Sequence, residues 1–187
     1  MAAMQDSTNS VVSLRSFTGE GYDKGRPVWV QALWFATQNL VFAKWWLPAR
    51  LRPAILRSFG ATIGQRVFIR HRVRVLWPWK LTIGDDSWVG EDVWLLNLEP
   101  ITIGSDVCLS QGAFVCTGSH QLRDRSFAYD NSSINIANGA WIATQATVLR
   151  GVTVGANATV AAGSLVSRDV GANTVVRGDA VTVGLRW

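Results

Sequence analysis

Two histidines are the residues of this chain best suited to acid–base chemistry. His120 ends the run Thr117-Gly118-Ser119-His120, directly before a polar stretch, whereas His71 lies between two arginines. Near neutral pH, a histidine can take a proton from a hydroxyl that attacks a thioester and then return it to the leaving thiolate. The sequence therefore predicts that His120 is a general base and that His71 is a surface residue.

The two cysteines allow a second chemistry. Cys116 lies four residues before His120, a spacing that would suit a Cys–His nucleophile, but no third orienting group is evident. Covalent catalysis is therefore the less favoured interpretation. Two cysteines are too few for a disulfide framework, and two histidines cannot form a three-histidine zinc site within one chain. No metal site is predicted.

The elements that position His120 follow from a six-residue repeat. Neither an amphipathic helix nor an alternating strand has a period of six, whereas a hexapeptide β-helix does. Three hexads form one triangular coil with the aliphatic residue pointing inward, and two spacings of eight residues enlarge the same corner of successive coils. The sequence predicts an all-β fold, a parallel β-helix over residues 61–178. The inward positions are Ile63, Ile69, Val75, Ile83, Val89, Leu95, Ile103, Leu109, Val115, Ile136, Ile142, Val148, Val154, Val160 and Val166.

The repeat is interrupted directly after His120. The next inward position is the polar Gln121, and the rhythm returns only at Ile136, which predicts a loop over residues 121–135. Long loops in compact repeat proteins are usually functional or disordered. This placement favours a catalytic His120 over an idle surface histidine.

Aromatic residues are predicted to stack on the outside of the coils. Trp88 should lie above Phe68, and Phe114 above Trp94, because equivalent positions of successive coils form ladders. Exposed aromatic ladders indicate a protein interface, for which a cyclic trimer is the natural form. A helix of the same chain that covers one face is the alternative.

The ends of the chain are predicted to lie outside the coil. We expect a flexible N-terminus over residues 1–25, a helical segment over 26–60 that packs on the body, and a tail over 179–187. The opening residues lack the apolar core of a signal peptide, so the expected location is cytoplasmic. The net charge is +5, with basic residues clustered between Arg50 and Lys80, but a charge run is more often a solvated face than a nucleic-acid site.

The segment Val28–Leu47 has nearly the length of a membrane span. Polar residues, including Lys44, interrupt it, whereas a spanning helix needs about 20 predominantly apolar residues. The favoured prediction is a helix that packs on the body or on a neighbouring subunit. Peripheral contact with the inner face of a membrane through residues 28–57 is the alternative.

Four stretches of the sequence resemble the left-handed β-helix acetyltransferases of the maltose, galactoside and nodulation type, and most closely the colanic acid biosynthesis acetyltransferases. They are RSFGATIGQRVFIR, PWKLTIGDDSWVGEDVWLLNLEP, ITIGSDVCLSQGAFVCTGSH and GAWIATQATVLRGVTVGANATVAAGSLVSRDV, all within residues 57–170. The resemblance implies a left-handed coil, acetyl-CoA as donor, His120 as base and an active site between the subunits of a homotrimer.

The resemblance also implies binding residues. For coenzyme A, these are Ala143, Thr144, Ala161, Ala162, Gly163, Ser167 and Arg168; for the acceptor, they are Asn97 and Glu99 at the enlarged corner, with Glu91 and Asp92 nearby. The run Arg177–Val181 departs from the family's usual ending. Because this run lacks the family's proline, the resemblance does not extend to the site for the adenine end of coenzyme A.

The favoured function is transfer of an acetyl group to a hydroxyl of a small or lipid-linked sugar, in exopolysaccharide or glycan biosynthesis. Transfer to the amine of an amino sugar or amino acid would use nearly the same base chemistry. A non-catalytic β-helix module that acts through its aromatic faces is a third hypothesis.

Overall fold

The computed structural model describes residues 14–121, 126–178 and 184–185, which form a parallel β-solenoid with three faces. The first face holds β1 (Thr62–Ile63), β4 (Leu81–Ile83), β7 (Ile101–Ile103), β10 (Ile134–Ile136) and β13 (Thr153–Val154). The second holds β2 (Phe68–Ile69), β5 (Trp88–Val89), β8 (Cys108–Leu109), β11 (Trp141–Ile142), β14 (Thr159–Val160) and β16 (Thr174–Val176), with β17 (Gly184–Leu185) antiparallel to β16. The third holds β3 (Arg74–Val75), β6 (Trp94–Leu96), β9 (Phe114–Cys116), β12 (Thr147–Leu149) and β15 (Leu165–Val166).

The six-residue repeat is confirmed as the source of this fold. All fifteen predicted inward residues are at most 7% exposed, and they form the core of the solenoid. Equivalent residues of successive coils pair directly, as Ile83 does with Ile103 and Leu95 with Val115. The parallel ladder therefore repeats one buried aliphatic residue on each face of each coil.

Two corners of the triangular coil matter for function. We call the connections from the second face to the third the short corner; they comprise residues 70–73, 90–93, 110–113, 143–146 and 161–164. The connections from the third face to the first form the wide corner, residues 76–80, 97–100, 117–121 with 126–133, 150–152 and 167–169. The two spacings of eight residues enlarge the wide corner in the first two coils, as predicted, and a 3-10 turn at Pro78–Lys80 fills part of that space.

The aromatic ladders are also confirmed. Phe68 pairs with Trp88 on the second face, with ring centroids 6.5 Å apart, and both rings are exposed. Trp94 stacks on Phe114 on the third face at 4.9 Å, and the Arg74 guanidinium lies 4.1 Å from the centroid of the Trp94 ring. The rings on the second face remain exposed within the chain.

A helical cap, residues 28–58, lies at the N-terminal end of the solenoid. It comprises α1 (Val28–Thr37), a π-helical turn (Gln38–Phe42), a 3-10 turn (Ala49–Leu51) and α2 (Arg52–Ser58), whose first turn contains Pro53. Solenoid ends need such caps because the last coil would otherwise present unpaired strand edges. Four cap side chains bond to backbone groups of the first coil: Trp34 Nε1–H donates to the Val75 carbonyl (2.9 Å), Gln38 Oε1 accepts from the Val75 N–H (2.7 Å), Arg52 Nη1 donates to the Ile69 carbonyl (3.4 Å) and Arg57 Nε to the Ile63 carbonyl (2.9 Å).

A membrane-spanning helix is absent from the described ranges, because none of their helices is both long enough and apolar enough to cross a bilayer.

Candidate active site

The chain leaves the coil after β9 and returns at β10, and residues 117–121 and 126–133 are the described parts of the segment between them. Ile134 is already paired with Ile101, two residues before the predicted return at Ile136. The segment is a hairpin rather than an irregular loop: His120 and Tyr129 form an antiparallel bridge. Further backbone bonds join Gln121 N to Ala128 O (2.9 Å), Asp130 N to Ser119 O (2.8 Å) and Ser132 N to Thr117 O (3.0 Å). The hairpin also pairs with the adjoining coil through the Asp130–Arg150 ion pair.

The residues before His120 are fixed to the coil below. Thr117 is fully buried; its hydroxyl donates to the Leu96 carbonyl (3.1 Å) and accepts from the Glu99 N–H (2.9 Å). At Gly118, an added Cβ would lie 2.9 Å from Leu98 Cδ1, so a larger residue would displace that side chain. Contacts with the coil below therefore fix the backbone at Thr117 and Gly118, just before His120.

The His120 ring is oriented by a backbone carbonyl. Its Nδ1 lies 2.7 Å from the Phe127 oxygen, and since a carbonyl only accepts, Nδ1 must carry the hydrogen. In the neutral ring, Nε2 then has the lone pair and can accept a proton. Phe127 has a φ of 54°, a left-handed conformation, and its ring stacks on His120 with centroids 3.9 Å apart. The half-buried imidazole therefore has the tautomer that a general base needs.

Aromatic residues from the N-terminal stretch pack against this hairpin. Phe17 makes an edge contact with the His120 ring (5.4 Å between centroids), and Tyr22 lies 5.2 Å from Tyr129. Within the predicted flexible N-terminus, residues 1–25, the structure thus gives contacts to the wide corner for Phe17 and for residues 22–25; residues 1–13 are outside the described part of the chain. No motif signalled these contacts, because they join positions distant in sequence.

Tyr22 links the N-terminal stretch to the coil. Its phenolic oxygen accepts a hydrogen bond from Trp77 Nε1–H, and Lys80 Nζ lies over its ring, 5.1 Å from the centroid. Lys80 Nζ also donates to the carbonyls of Asp23 (2.6 Å) and Leu98 (2.5 Å). Burial raises the pKa of Tyr22 to about 12, so its hydroxyl stays protonated at neutral pH.

The predicted acceptor residues divide between the two corners. Glu99 and Asn97 lie at the wide corner, one coil below the hairpin. Asn97 is fully buried, and its amide bonds the Trp77 N–H (2.9 Å) and the Trp77 carbonyl (2.6 Å), which gives it a structural role. The Glu99 carboxylate is partly exposed and close enough to Tyr22 to contribute to the raised pKa of that hydroxyl.

Glu91 and Asp92 lie at the short corner, away from His120. Arg70 donates to Glu91 (2.5 Å), and Arg72 donates to both carboxylate oxygens of Asp92 (2.8 and 2.7 Å). These hydrogen bonds lower the pKa of both carboxyl groups. His71 lies in the same cluster, with Nδ1 3.5 Å from Glu91.

The predicted coenzyme A residues are divided in the same way. Ala143 and Thr144 occupy the short corner, one coil below Ala161, Ala162 and Gly163, and the Gly163 N–H donates to the Thr144 carbonyl (2.9 Å). Ser167 and Arg168 are exposed at the wide corner, two coils beyond the hairpin. One chain therefore brings Ser167 and Arg168, but not the other five residues, to the corner that carries His120.

Cys116 is poorly suited to nucleophilic chemistry. Burial raises the pKa of its thiol, and Sγ donates to the Gly118 carbonyl at 3.4 Å. A buried protonated thiol is a weak nucleophile, because the thiolate is the reactive form. Within residues 14–121 and 126–178, no group of three or more His, Cys, Asp and Glu residues could hold a metal ion.

Comparison with known proteins identifies the family, although no protein-family model matches the chain. It is 42% identical over 167 residues to "Putative colanic acid biosynthesis acetyltransferase WcaF" of Escherichia coli, an alignment covering 88% of this chain and 90% of that protein. The hexapeptide-repeat-containing acetyltransferase VCA0836 of Vibrio cholerae, crystallised with acetyl coenzyme A, superposes with a TM-score of 0.78 at 25% identity over 90% of this chain and 94% of that one. A maltose O-acetyltransferase of Clostridium difficile shares the fold, with a TM-score of 0.78 at 22% identity over 91% and 94% of the two chains. The extent of the first alignment and the common solenoid show that this chain belongs to the hexapeptide-repeat acetyltransferases.

Proposed function

We propose that the protein transfers an acetyl group from acetyl-CoA to a sugar hydroxyl, with His120 as the general base. The observation that carries this proposal is the bond from His120 Nδ1–H to the Phe127 carbonyl, which leaves Nε2 as the proton acceptor. The hairpin holds this imidazole where the coil opens at its widest corner. Membership of an acetyltransferase family supports the reaction class.

His120 performs both proton transfers in the proposed mechanism. Nε2 takes the proton of the acceptor hydroxyl as its oxygen attacks the acetyl carbonyl, and the imidazolium then returns a proton to the thiolate that leaves. Such base catalysis contributes roughly a hundred- to ten-thousand-fold in rate. Throughout the cycle, the Phe127 carbonyl can accept from Nδ1–H and stabilise the positive ring.

The residues at the short corner fit a thioester donor. Ala143, Ala161 and Ala162 are small, and a Cβ added at Gly163 would meet no atom within 4 Å, so a ligand can approach the backbone there. Arg168, which lies instead at the wide corner, is exposed and can pair with a phosphate through two parallel hydrogen bonds. The acetyl-CoA complex of the Vibrio cholerae relative supports this donor.

The acceptor is proposed to bind at the wide corner. Glu99 has its carboxylate in the coil below His120 and can accept hydrogen bonds from a sugar hydroxyl. Asn97 supports this corner by holding Trp77, whereas Glu91 and Asp92 maintain the arginine cluster of the short corner. The relation to a colanic acid biosynthesis acetyltransferase favours an acceptor from exopolysaccharide synthesis.

A homotrimer of left-handed coils would join the two corners. In a cyclic assembly, the short corner of one subunit can face the wide corner of the next, which would place its coenzyme A residues beside the neighbour's His120. The exposed Phe68–Trp88 ladder offers an apolar surface for such contacts. Both the hand of the coil and the trimer are also implied by the sequence resemblance.

Mass spectrometry of nucleotide-linked and lipid-linked sugars incubated with the protein and acetyl-CoA tests the reaction and names the acceptor atom. His120→Asn keeps an N–H that can reach the Phe127 carbonyl but removes the base, so the rate should fall about a hundred- to ten-thousand-fold. His71→Asn is the matched control and should retain the rate. Undiminished acetyl transfer by His120→Asn would contradict the proposed base, and an acetylated amine would redirect the proposal to N-acetylation.

A further inference from the structure

The helical cap has apolar residues on both of its sides, and its buried side also contains polar ones. Along α1 and the π-helical turn, Gln31, Trp34, Gln38 and Phe42 are buried against the solenoid. The two glutamines are satisfied there: Gln31 Nε2 donates to the Arg26 carbonyl (2.7 Å), and Gln38 accepts from the Val75 N–H. The side of a surface helix that packs on the body is normally its apolar side. Here, that side contains two amides.

The opposite side of the same helix is apolar and exposed. Trp29, Leu33 and Leu40 follow one another at spacings of four and seven residues, which places them on one helix face, and they are 69%, 51% and 68% exposed. Trp45 and Trp46, in the turn that follows, are also exposed, Trp45 by 80%. We call these five exposed residues of the cap the cap face; Trp29 and Leu33 line one depression and Trp45 lines another. An exposed apolar surface of this kind marks an interaction site.

Positive charge surrounds the cap face. From Lys24 to Lys80, the sequence has 11 of its 18 basic residues and none of its 13 acidic ones. Arg26 and Arg57 line the depression that contains Trp29 and Leu33. Lys44, Arg72 and Arg74 line another with Trp45, in which Asp92 is already bonded to Arg72. Within the described ranges, no ion pair engages Arg26, Lys44 or Arg50.

The exposed apolar side chains and the basic residues near them indicate which kind of partner fits the cap face. A second copy that docked through the same face would bring two basic rims together, and like charges oppose such contact. Indole and leucine side chains beside arginines and lysines suit the boundary between lipid headgroups and acyl chains, where the cations meet phosphates. We propose that the cap face binds the surface of an anionic lipid bilayer, with Trp29, Leu33, Leu40, Trp45 and Trp46 entering the interface and Arg26 and Lys44 contacting lipid phosphates.

Vesicle flotation tests this proposal with the full chain. The protein should float with phosphatidylcholine vesicles that contain roughly a quarter phosphatidylglycerol and much less with pure phosphatidylcholine. Raising the salt to about 0.5 M should release most of the bound protein, because it screens the basic rim. Leu40→Ser combined with Trp45→Ser should lower the ratio of bound to free protein about tenfold or more. Arg26→Glu with Lys44→Glu should weaken binding to the anionic vesicles.

Leu165→Ser is the matched control, since Leu165 is an exposed leucine on the third face of the solenoid, and this variant should float like the wild type. Circular dichroism and sedimentation velocity establish that the variants keep their fold and their assembly. Failure to float with anionic vesicles, or equal binding by the cap-face and control variants, would refute the proposal. Dissociation of an oligomer by the cap-face changes would assign the face to contact between copies instead.

Discussion

At the scale of single residues, hydrogen-bond partners separate the two histidines. His120 faces a backbone carbonyl that fixes its tautomer, whereas His71 faces the Glu91 carboxylate within an arginine cluster. Their different positions could be predicted from the repeat, since one precedes the interruption and the other lies at an ordinary corner. The carbonyl that orients His120 could not be predicted, because it depends on the left-handed conformation of Phe127.

Tyr22 gives a prediction at this scale through its raised pKa. Burial stabilises the neutral phenol in the folded state, so its pKa is about 12, against 10.0 for an unperturbed tyrosine. The resulting stability is fully present below about pH 10 and is lost as the pH rises towards 12. Tyr22→Phe cannot ionise, so its stability should fall less over this interval than that of the wild type.

Urea denaturation of the two proteins at several pH values between 9 and 12 measures this difference. Near neutral pH, Tyr22→Phe should be less stable than the wild type, since Trp77 Nε1–H loses its acceptor. The stability gap should then narrow above pH 10. A constant gap across the whole range would mean that Tyr22 ionises with an ordinary pKa in the folded protein.

At the scale of elements, the six-residue repeat predicts the coil, but it does not predict the contacts of the hairpin and the helical cap. Each strand needs only one inward aliphatic residue, and successive coils repeat that requirement by translation, so the core and ladders follow from a six-residue count. The hairpin could be predicted only as a loop, because the pairing of His120 with Tyr129 leaves no periodic signal. The cap bonds single side chains to strand edges distant in sequence, for which local patterns carry no information.

Arg52 provides a prediction for the cap. Its buried guanidinium donates to the carbonyls of Phe42 (2.9 Å), Lys44 (2.6 Å) and Ile69 (3.4 Å), so it ties α2 to the turn after α1 and to β2. Arg52→Met leaves these carbonyls without their donor and should lower the free energy of unfolding by about 2–4 kcal/mol. Arg50→Met, at an exposed neighbouring position, should change it by no more than about 0.5 kcal/mol.

Chemical denaturation of both arginine variants makes the comparison. Native-state hydrogen exchange adds a local readout: Arg52→Met should expose the backbone amides of the cap before those of the later coils. Equal stability of the two variants would show that the cap is held by its apolar contacts alone.

At the scale of the whole molecule, two separated corners must cooperate if the proposed site is correct. His120 and Glu99 lie at the wide corner, whereas Ala143, Thr144 and the Ala161–Gly163 run lie at the short corner of the same chain. Sequence alone could place these residues in hexads. It could not show that the third face of the coil separates the two sets, because that depends on which corner each hexad reaches.

Mixed assemblies test whether neighbouring subunits share the site. His120→Asn removes the base at the wide corner, and Ala162→Trp places a bulky ring at the exposed short corner, so each variant alone should be nearly inactive. After the two proteins are unfolded together and refolded, some mixed trimers will pair an intact His120 on one subunit with an open short corner on the next. Those sites should regain activity, to about a quarter of the wild-type rate per chain for random mixing of equal amounts, because one mixed trimer has one active site of three. Sedimentation velocity on each variant should give three times the mass of one chain, which establishes that both still assemble. A site contained within one subunit predicts no recovery at any mixing ratio, because no chain in the mixture has both corners intact.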